Sequence, residues 1–268
     1  MRRSPNSIAQ GSLGDCWLLS AITVLAEKEG QIERVFREKM HSIWGKYHIK
    51  LYNGKEQKWE TVVIDDFVPC KNKKPIFTKP RGNEMWVLLL EKAFAKLVGS
   101  YSGLEGGMSL WALEALTGDH VAHFKLQAGS EDKKAALGRW QKMSLVHLED
   151  DANKRKAGLR EAAGELYSTH DFFEILEQYE KQDACMAAYS KGTSDKNQAS
   201  GIVQGHAYAI LNVRHVSERR FLKLRNPWGT FSWEGAWSDK SDDWEKHPEV
   251  KVHSPTISSP KFLNEIEM

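Results

Sequence analysis

Residues 17–26 are apolar nearly all round, interrupted only by Ser20 and Thr23. A helix with no polar face belongs inside a core. Gly11, Gly14 and Asp15 just ahead of it suit a tight turn and a cap. Residues 47–52 and 58–64 alternate apolar and polar, and Asn53-Gly54 between them reads as a hairpin turn. Residues 83–98 follow a helical period that puts Trp86, Leu89, Leu90, Ala93, Phe94 and Leu97 on one face. Residues 104–109 carry Gly106 and Gly107 and read as a hinge, with a short helix over 110–116.

From residue 129 to 165 Lys, Glu, Asp and Ala dominate, and the run reads as a solvated helical or partly mobile insertion. Beyond it the pattern turns to strands at 185–190, 207–213 and 221–225. Helices first and antiparallel strands second predict an α+β fold of two lobes, 1–107 and 108–268, with a cleft where they meet.

Composition narrows the partners. The 38 basic and 36 acidic residues leave a net charge of +2, which gives no reason to invoke nucleic acid. No apolar run approaches the roughly 18 residues that a membrane span needs. After Met1-Arg2-Arg3 no signal-peptide core and cleavage site follows. Cys16, Cys70 and Cys185 are too few and scattered for a disulfide framework and lack zinc spacing. They point to a reducing, cytoplasmic setting.

The chemistry concentrates in Gln10-Gly11-Ser12-Leu13-Gly14-Asp15-Cys16-Trp17. A cysteine at the first turn of a buried helix feels the positive end of the helix dipole, which favours the thiolate. Helix-end amides, with Gln10 looping back, can hold a developing oxyanion. A lone helix-start cysteine is more often a small buried hydrophobe, but the glycines before it and the Trp after it resemble the local signature of papain-type enzymes. Cys70, after Pro69, and Cys185, in an apolar strand, read as structural. His206 heads a strand in Gly205-His206-Ala207-Tyr208 and can exchange protons near neutrality. Asn226, in Arg225-Asn226-Pro227-Trp228-Gly229, follows His206 by 20 residues (226 − 206). That spacing allows an adjacent antiparallel strand, an Asn that fixes the imidazole and a Trp228 that shields their bond. Taken singly, each motif has a purely structural reading, a strand-end histidine or an Asn-Pro turn.

Together and in this order, the three motifs closely resemble the protease core of calpains, as do residues 89–96 and Gly99-Ser100-Tyr101. The resemblance implies a papain-like fold that cuts internal peptide bonds of protein or peptide substrates. It implies Cys16 as nucleophile, His206 as base and acid, Asn226 as orienter and Gln10 as oxyanion donor. Gly107 and Gly205 become backbone contacts for extended substrate, with Trp228 beside the site. It also implies calcium, one ion per lobe. Glu84 matches a ligand of the first lobe and Asp239 one of the second, while Ser7 and Ser232 stand where acidic ligands are expected. One match per lobe predicts weak binding or none, because calcium takes six to eight oxygens. The family's closing hairpin is not recognisable after Trp244, which predicts an unpaired sheet edge. A binding module that keeps the cleft without aligning it is the alternative. A transglutaminase-like enzyme ranks lower, since Asn226 is not Asp.

Overall fold

The computed structural model describes residues 8–38, 40–80, 84–127, 138–148, 156–192, 198–199, 201–229, 233–238, 240–252 and 263–267. The apolar segment forms α1 (Cys16–Glu27), in which every residue from Trp17 to Leu25 is buried. Its Ser20 and Thr23 hydroxyls return to backbone carbonyls inside the helix, at 3.0 Å from Trp17 O and 2.7 Å from Leu19 O. Two polar groups are thereby satisfied without breaking the apolar surface.

Four further elements share a core with α1 in the N-terminal half. They are α2 (Gln31–Val35), the hairpin β1 (Lys46–Asn53) and β2 (Lys58–Asp65), α3 (Trp86–Val98) and α4 (Ser109–Thr117). α3 stops where Gly99 takes φ +97°, and α4 stops at Gly118 with φ +74°, left-handed positions that suit glycine. Trp17, Phe94 and Trp111 meet edge-on and tilted, with centroids 5.4–6.4 Å apart. Asn53 is not a turn residue. It pairs with Lys58, and residues 54–57 make a four-residue loop. The Asn53 amide reaches across the strands to Glu60 Oε1 at 2.7 Å, and its Oδ1 accepts Glu56 N–H at 3.3 Å, so the side chain ties the loop to the ladder.

A short pair, β3 (Cys70–Lys71) and β4 (Lys74–Pro75), bridges the halves of a loop, and Cys70 is exposed there. The C-terminal half is built from two antiparallel sheets. β5 (Ala122–Leu126), β6 (Trp140–Leu148) and β7 (Lys156–Tyr167) pair in that order. The described parts of the 129–165 segment are therefore strands, and the helical insertion is corrected. Lys, Glu, Asp and Ala dominate its composition, yet Trp140, Met143 and Leu145 space an apolar set that a ladder can use. Residues 128–137 and 149–155 lie outside the described residues. α5 (Thr169–Lys181) follows, started by a capping box between Ser168 and Asp171.

The second sheet follows β8 (Met186–Tyr189), a short β9 (Gln198–Ala199) and β10 (Ile202–Val203) pair, β11 (Ala207–Val216) and β12 (Arg219–Arg225). Cys185 lies just before β8, half-buried against the helical core rather than in the strand. The chain continues through α6 (Asp243–Lys246) and α7 (Pro248–Val252) to β13 (Leu263–Glu267). β13 pairs antiparallel with β12, giving the order β13-β12-β11-β8. The expected bare edge is thus covered: a closing strand is present where no family hairpin could be read. Phe172, Phe173 and Leu176 of α5 pack on Tyr208, Ile210, Val213, Leu222 and Leu224 to form this half's core.

Replacing Phe94 by Ala should lower unfolding free energy by about 3–5 kcal/mol, the usual loss for a fully buried Phe. Chemical denaturation checks it; a change below 1 kcal/mol would mean that the aromatic cluster does not organise the helical half.

Candidate active site

Cys16 opens α1 and is half-buried, and its turn is held from several sides. Leu18 and Leu19 donate their amides to Asp15 O at 2.9 and 3.1 Å, setting the first helical bonds. Ser12 N–H reaches Ile76 O at 3.2 Å, and Gly106 N–H reaches Gly14 O at 2.9 Å. Gly11 is required by the protein's own backbone, since a Cβ there would sit 1.6 Å from Phe77 O. Gly14 is open by comparison, its nearest neighbour being Glu105 Cγ at 3.4 Å.

The turn also meets the C-terminal half. Gln10 N–H donates to Pro227 O at 3.3 Å, and α1 lies against β11 and β8. Burial pushes the Tyr189 phenol up to about 12, opposed by bonds to Ser109, and the nearby Cys16 adds to the rise. Tyr208 shows the same rise, from burial first and Cys16 last. Cys16 therefore sits among residues of β8 and β11, next to the strand start that carries His206.

His206 and Asn226 are each 1% exposed, and His206 Nε2 lies 2.8 Å from Asn226 Oδ1. The orientation of the Asn amide follows from a second bond: Trp228 backbone N–H lies 3.0 Å from the same Oδ1. A backbone N–H can only donate, so that atom is the carbonyl oxygen. Nε2 must then carry a proton and donate to it. The ring's other nitrogen, Nδ1, is left as the proton acceptor. Trp228 covers the pair, with ring centroids 4.7 Å apart at 52°.

The backbone around His206 is fixed by Ser190, which the sequence reading did not single out. His206 N–H donates to Ser190 Oγ at 3.0 Å, and Ser190 N–H donates to His206 O at 3.0 Å. Gly205 takes φ +59°, which favours glycine. Tyr189 was missed as well. Its hydroxyl lies 2.8 Å from Ser109 Oγ and 3.4 Å from Gly107 O, and Ser109 Oγ donates to Trp17 O at 2.8 Å. No spacing rule points to such residues; only the pairing of β8 with β11 brings them in.

The other expected residues fall as follows. Gln10 Nε2 donates to Leu13 O at 2.7 Å, which leaves its second amide hydrogen for another acceptor. Gly107 is exposed, and a Cβ there would meet the Trp17 indole at 2.4 Å. Glu84 is half-buried and accepts the Trp86 indole N–H at 2.8 Å. Asp239, Ser7 and Ser232 lie outside the described residues. Among the described residues no group of three or more His, Cys, Asp or Glu comes together to hold a metal. Glu84 is one carboxylate of the several that a calcium shell takes, and the other expected ligands lie outside the described residues. Among the described residues no helix is long and apolar enough to cross a membrane.

Comparison with known proteins agrees with the motifs. A sequence model described as calpain family cysteine protease matches residues 2–258. The calpain-type cysteine protease DEK1 of Zea mays is 37% identical over 262 residues, covering 96% of this chain and 10% of that protein. The calpain-type cysteine protease ADL1 of Oryza sativa subsp. japonica is likewise 37% identical over 262 residues. Calpain-9 of Homo sapiens is 31% identical over 249 residues, covering 88% of this chain and 30% of that protein. The chain thus spans about a tenth of the length of the plant relatives it matches.

Asn226→Ala removes the acceptor that sets the His206 tautomer. Alkylation of Cys16 by iodoacetamide near pH 6 should slow by about tenfold, the scale of one lost buried hydrogen bond. An unchanged rate would separate the imidazole from the thiol.

Proposed function

The chain belongs to the calpain family of cysteine proteases, and we propose that it is a papain-like endopeptidase core working through Cys16, His206 and Asn226. The observation that carries this reading is the His206–Asn226 bond, whose orientation is set by Trp228 N–H beside the turn that presents Cys16. That bond leaves Nδ1 as the acceptor that a thiol proton requires.

The Cys16 sulfur, as thiolate, attacks the carbonyl carbon of a peptide bond, and the electron pair moves to the carbonyl oxygen. α1's N-terminal amides and the second Gln10 amide hydrogen stabilise that oxygen. The imidazolium of His206 then gives its proton to the departing amine as the carbon–nitrogen bond breaks, leaving an acyl-enzyme. A water, deprotonated by His206, attacks the thioester carbon; the carbon–sulfur bond breaks, the acid product leaves and the Cys16 thiolate is regenerated beside the imidazolium. Asn226 keeps Nε2–H pointed at itself throughout, so proton traffic runs through Nδ1. Gly107, Gly205 and Trp228 line the approach of an extended protein or peptide substrate. No step is routed through calcium.

The alternative of a non-catalytic binding module rested partly on an unfinished sheet, and β13 supplies the strand thought to be missing. A fluorogenic peptide assay decides between the two. Cys16→Ser should lose at least about 10³-fold of turnover, as removal of a catalytic nucleophile does. Equal turnover by both proteins would sink the endopeptidase reading.

Calcium is tested separately by titration against the fluorescence of the ten tryptophans. The incomplete ligand set predicts a response only above about 10⁻⁴ M, or no response. A transition that saturates at micromolar calcium would show that ligands outside the described residues complete a site.

A further inference from the structure

Behind the turn that presents Cys16 lies an acid pair that the reaction above leaves unused. Asp15 is 1% exposed and Glu91, on α3, is 3% exposed. Asp15 occupies the N-cap of α1, yet its side chain makes no capping bond. Both of its carboxyl oxygens are buried, and among the described residues no donor outside Asp15 reaches them, its own backbone N–H alone favouring the charged form. They instead lie within hydrogen-bonding reach of the Glu91 carboxyl. Glu91 is the better supplied of the two, since its Oε1 accepts from Thr78 N–H at 2.9 Å and from Thr78 Oγ1 at 2.5 Å.

Two buried carboxyl groups in contact do not both ionise near neutral pH, because neither brings a donor to the other's charge and their charges repel. The group with two donors already aimed at it takes the negative charge. The other must hold the proton and donate it.

We propose that Asp15 is a positioning residue for the nucleophile: it stays protonated and donates to Glu91, and this bond locks the turn carrying Cys16 onto α3. The proposal rests on Cys16 being the reactive thiol. Burial and then the repulsion of Glu91 push Asp15 up to about 9, in keeping with a neutral acid at physiological pH. Burial raises Glu91 as well, and the Thr78 bonds oppose the rise. Other titratable groups on this face are Cys16 itself, Glu105 beside Gly14 and Tyr101, which also feels the charge of Asp65. The Tyr101 hydroxyl is buried without a partner among the described residues, and burial and then Glu91 push it upward. All three are acids, so a second negative charge at Asp15 finds no cation among the groups named. A neutral Asp15 also spares Cys16 an adjacent charge that would oppose its thiolate.

Native Asp15 thus holds its proton to about pH 9, whereas an unfolded one releases it near 3.8. Stability contributed by the protonated pair is complete below that lower value and is lost progressively as pH rises through the window. Above about 9 the pair ionises fully, the proton passing to hydroxide, and the turn is pushed off α3.

Iodoacetamide alkylation of Cys16 in the full chain, followed from pH 5 to 10.5, reads this without requiring peptide cleavage. The wild-type rate should climb as thiolate forms and then fall above about pH 9. Asp15→Asn keeps a donor but has no proton to lose, so the falling limb should disappear, with a rate at pH 7 reduced by about fivefold or less. Asp15→Ala removes the donor and should be slower than Asp15→Asn by about tenfold. Equal rates for Asn and Ala, or a falling limb that persists in Asn, would overturn the proposal. Should circular dichroism show either variant unfolded, Glu91→Gln decides. Loss of the anion must move the falling limb below that of the wild type, and an unmoved limb would overturn the proposal. A chain that alkylates as expected but cleaves no peptide would contradict the endopeptidase reading and leave this one standing.

Discussion

The structure depends on one constraint, that α1 has no face to show to water. Residues 17–25 are all buried, so the helix must be enclosed from every side. α4 and the surrounding helical half cover part of it, and β11 and β8 of the sheet half cover another. Burying the nine side chains of that run is worth on the order of 10 kcal/mol by area. No single contact between the halves approaches that figure. The N-terminus of such a helix necessarily emerges where the halves meet. A cysteine placed there has the positive end of the helix dipole on one side and residues of β8 and β11 on the other.

How much of this could be read beforehand varies with the reach of the signal. Local patterns served well: α1, α3 and the strands β11 and β12 follow directly from apolar spacing, and Asn226 does follow His206 after one strand and its antiparallel neighbour. The His206–Asn226 bond was legible because a 20-residue separation fits that geometry. Composition misled at 129–165, where charged residues decorate the exposed positions of long strands and hide the apolar ones. β13 was hidden for another reason. Leu263-Asn264-Glu265-Ile266-Glu267 is short and weakly apolar, and it becomes a strand through pairing with Phe221–Arg225 of β12. Ser190, Tyr189 and the Asp15–Glu91 pair were illegible because each acts through a residue distant in sequence.

Identity of the family and identity of the machinery rest on different grounds. The family follows from similarity over nearly the whole chain. The roles proposed for Cys16, His206 and Asn226 are supported by bonding logic: an oxygen that accepts a backbone N–H is not a donor, so the imidazole facing it donates from Nε2 and leaves Nδ1 to accept a proton.

The far end of α1 is tied to the sheet as well. Glu27 places a negative charge at the helix C-terminus, which the helix dipole disfavours. Arg225 ends β12 immediately before Asn226, and its guanidinium pairs with Glu27. Lys28, one residue on, pairs with Asp183 just before β8. Asp183 is largely exposed, so that pair is worth less than about 1 kcal/mol. The Arg225 side chain is only 10% exposed, which makes its bond to Glu27 the stronger tie. A charge that would weaken an isolated helix thus anchors the strand carrying Asn226, while Gln10 N–H to Pro227 O anchors the turn carrying Cys16. The two ties lie at opposite ends of one buried rod. The strand end and the turn are therefore set by the same rigid element as long as α1 remains enclosed.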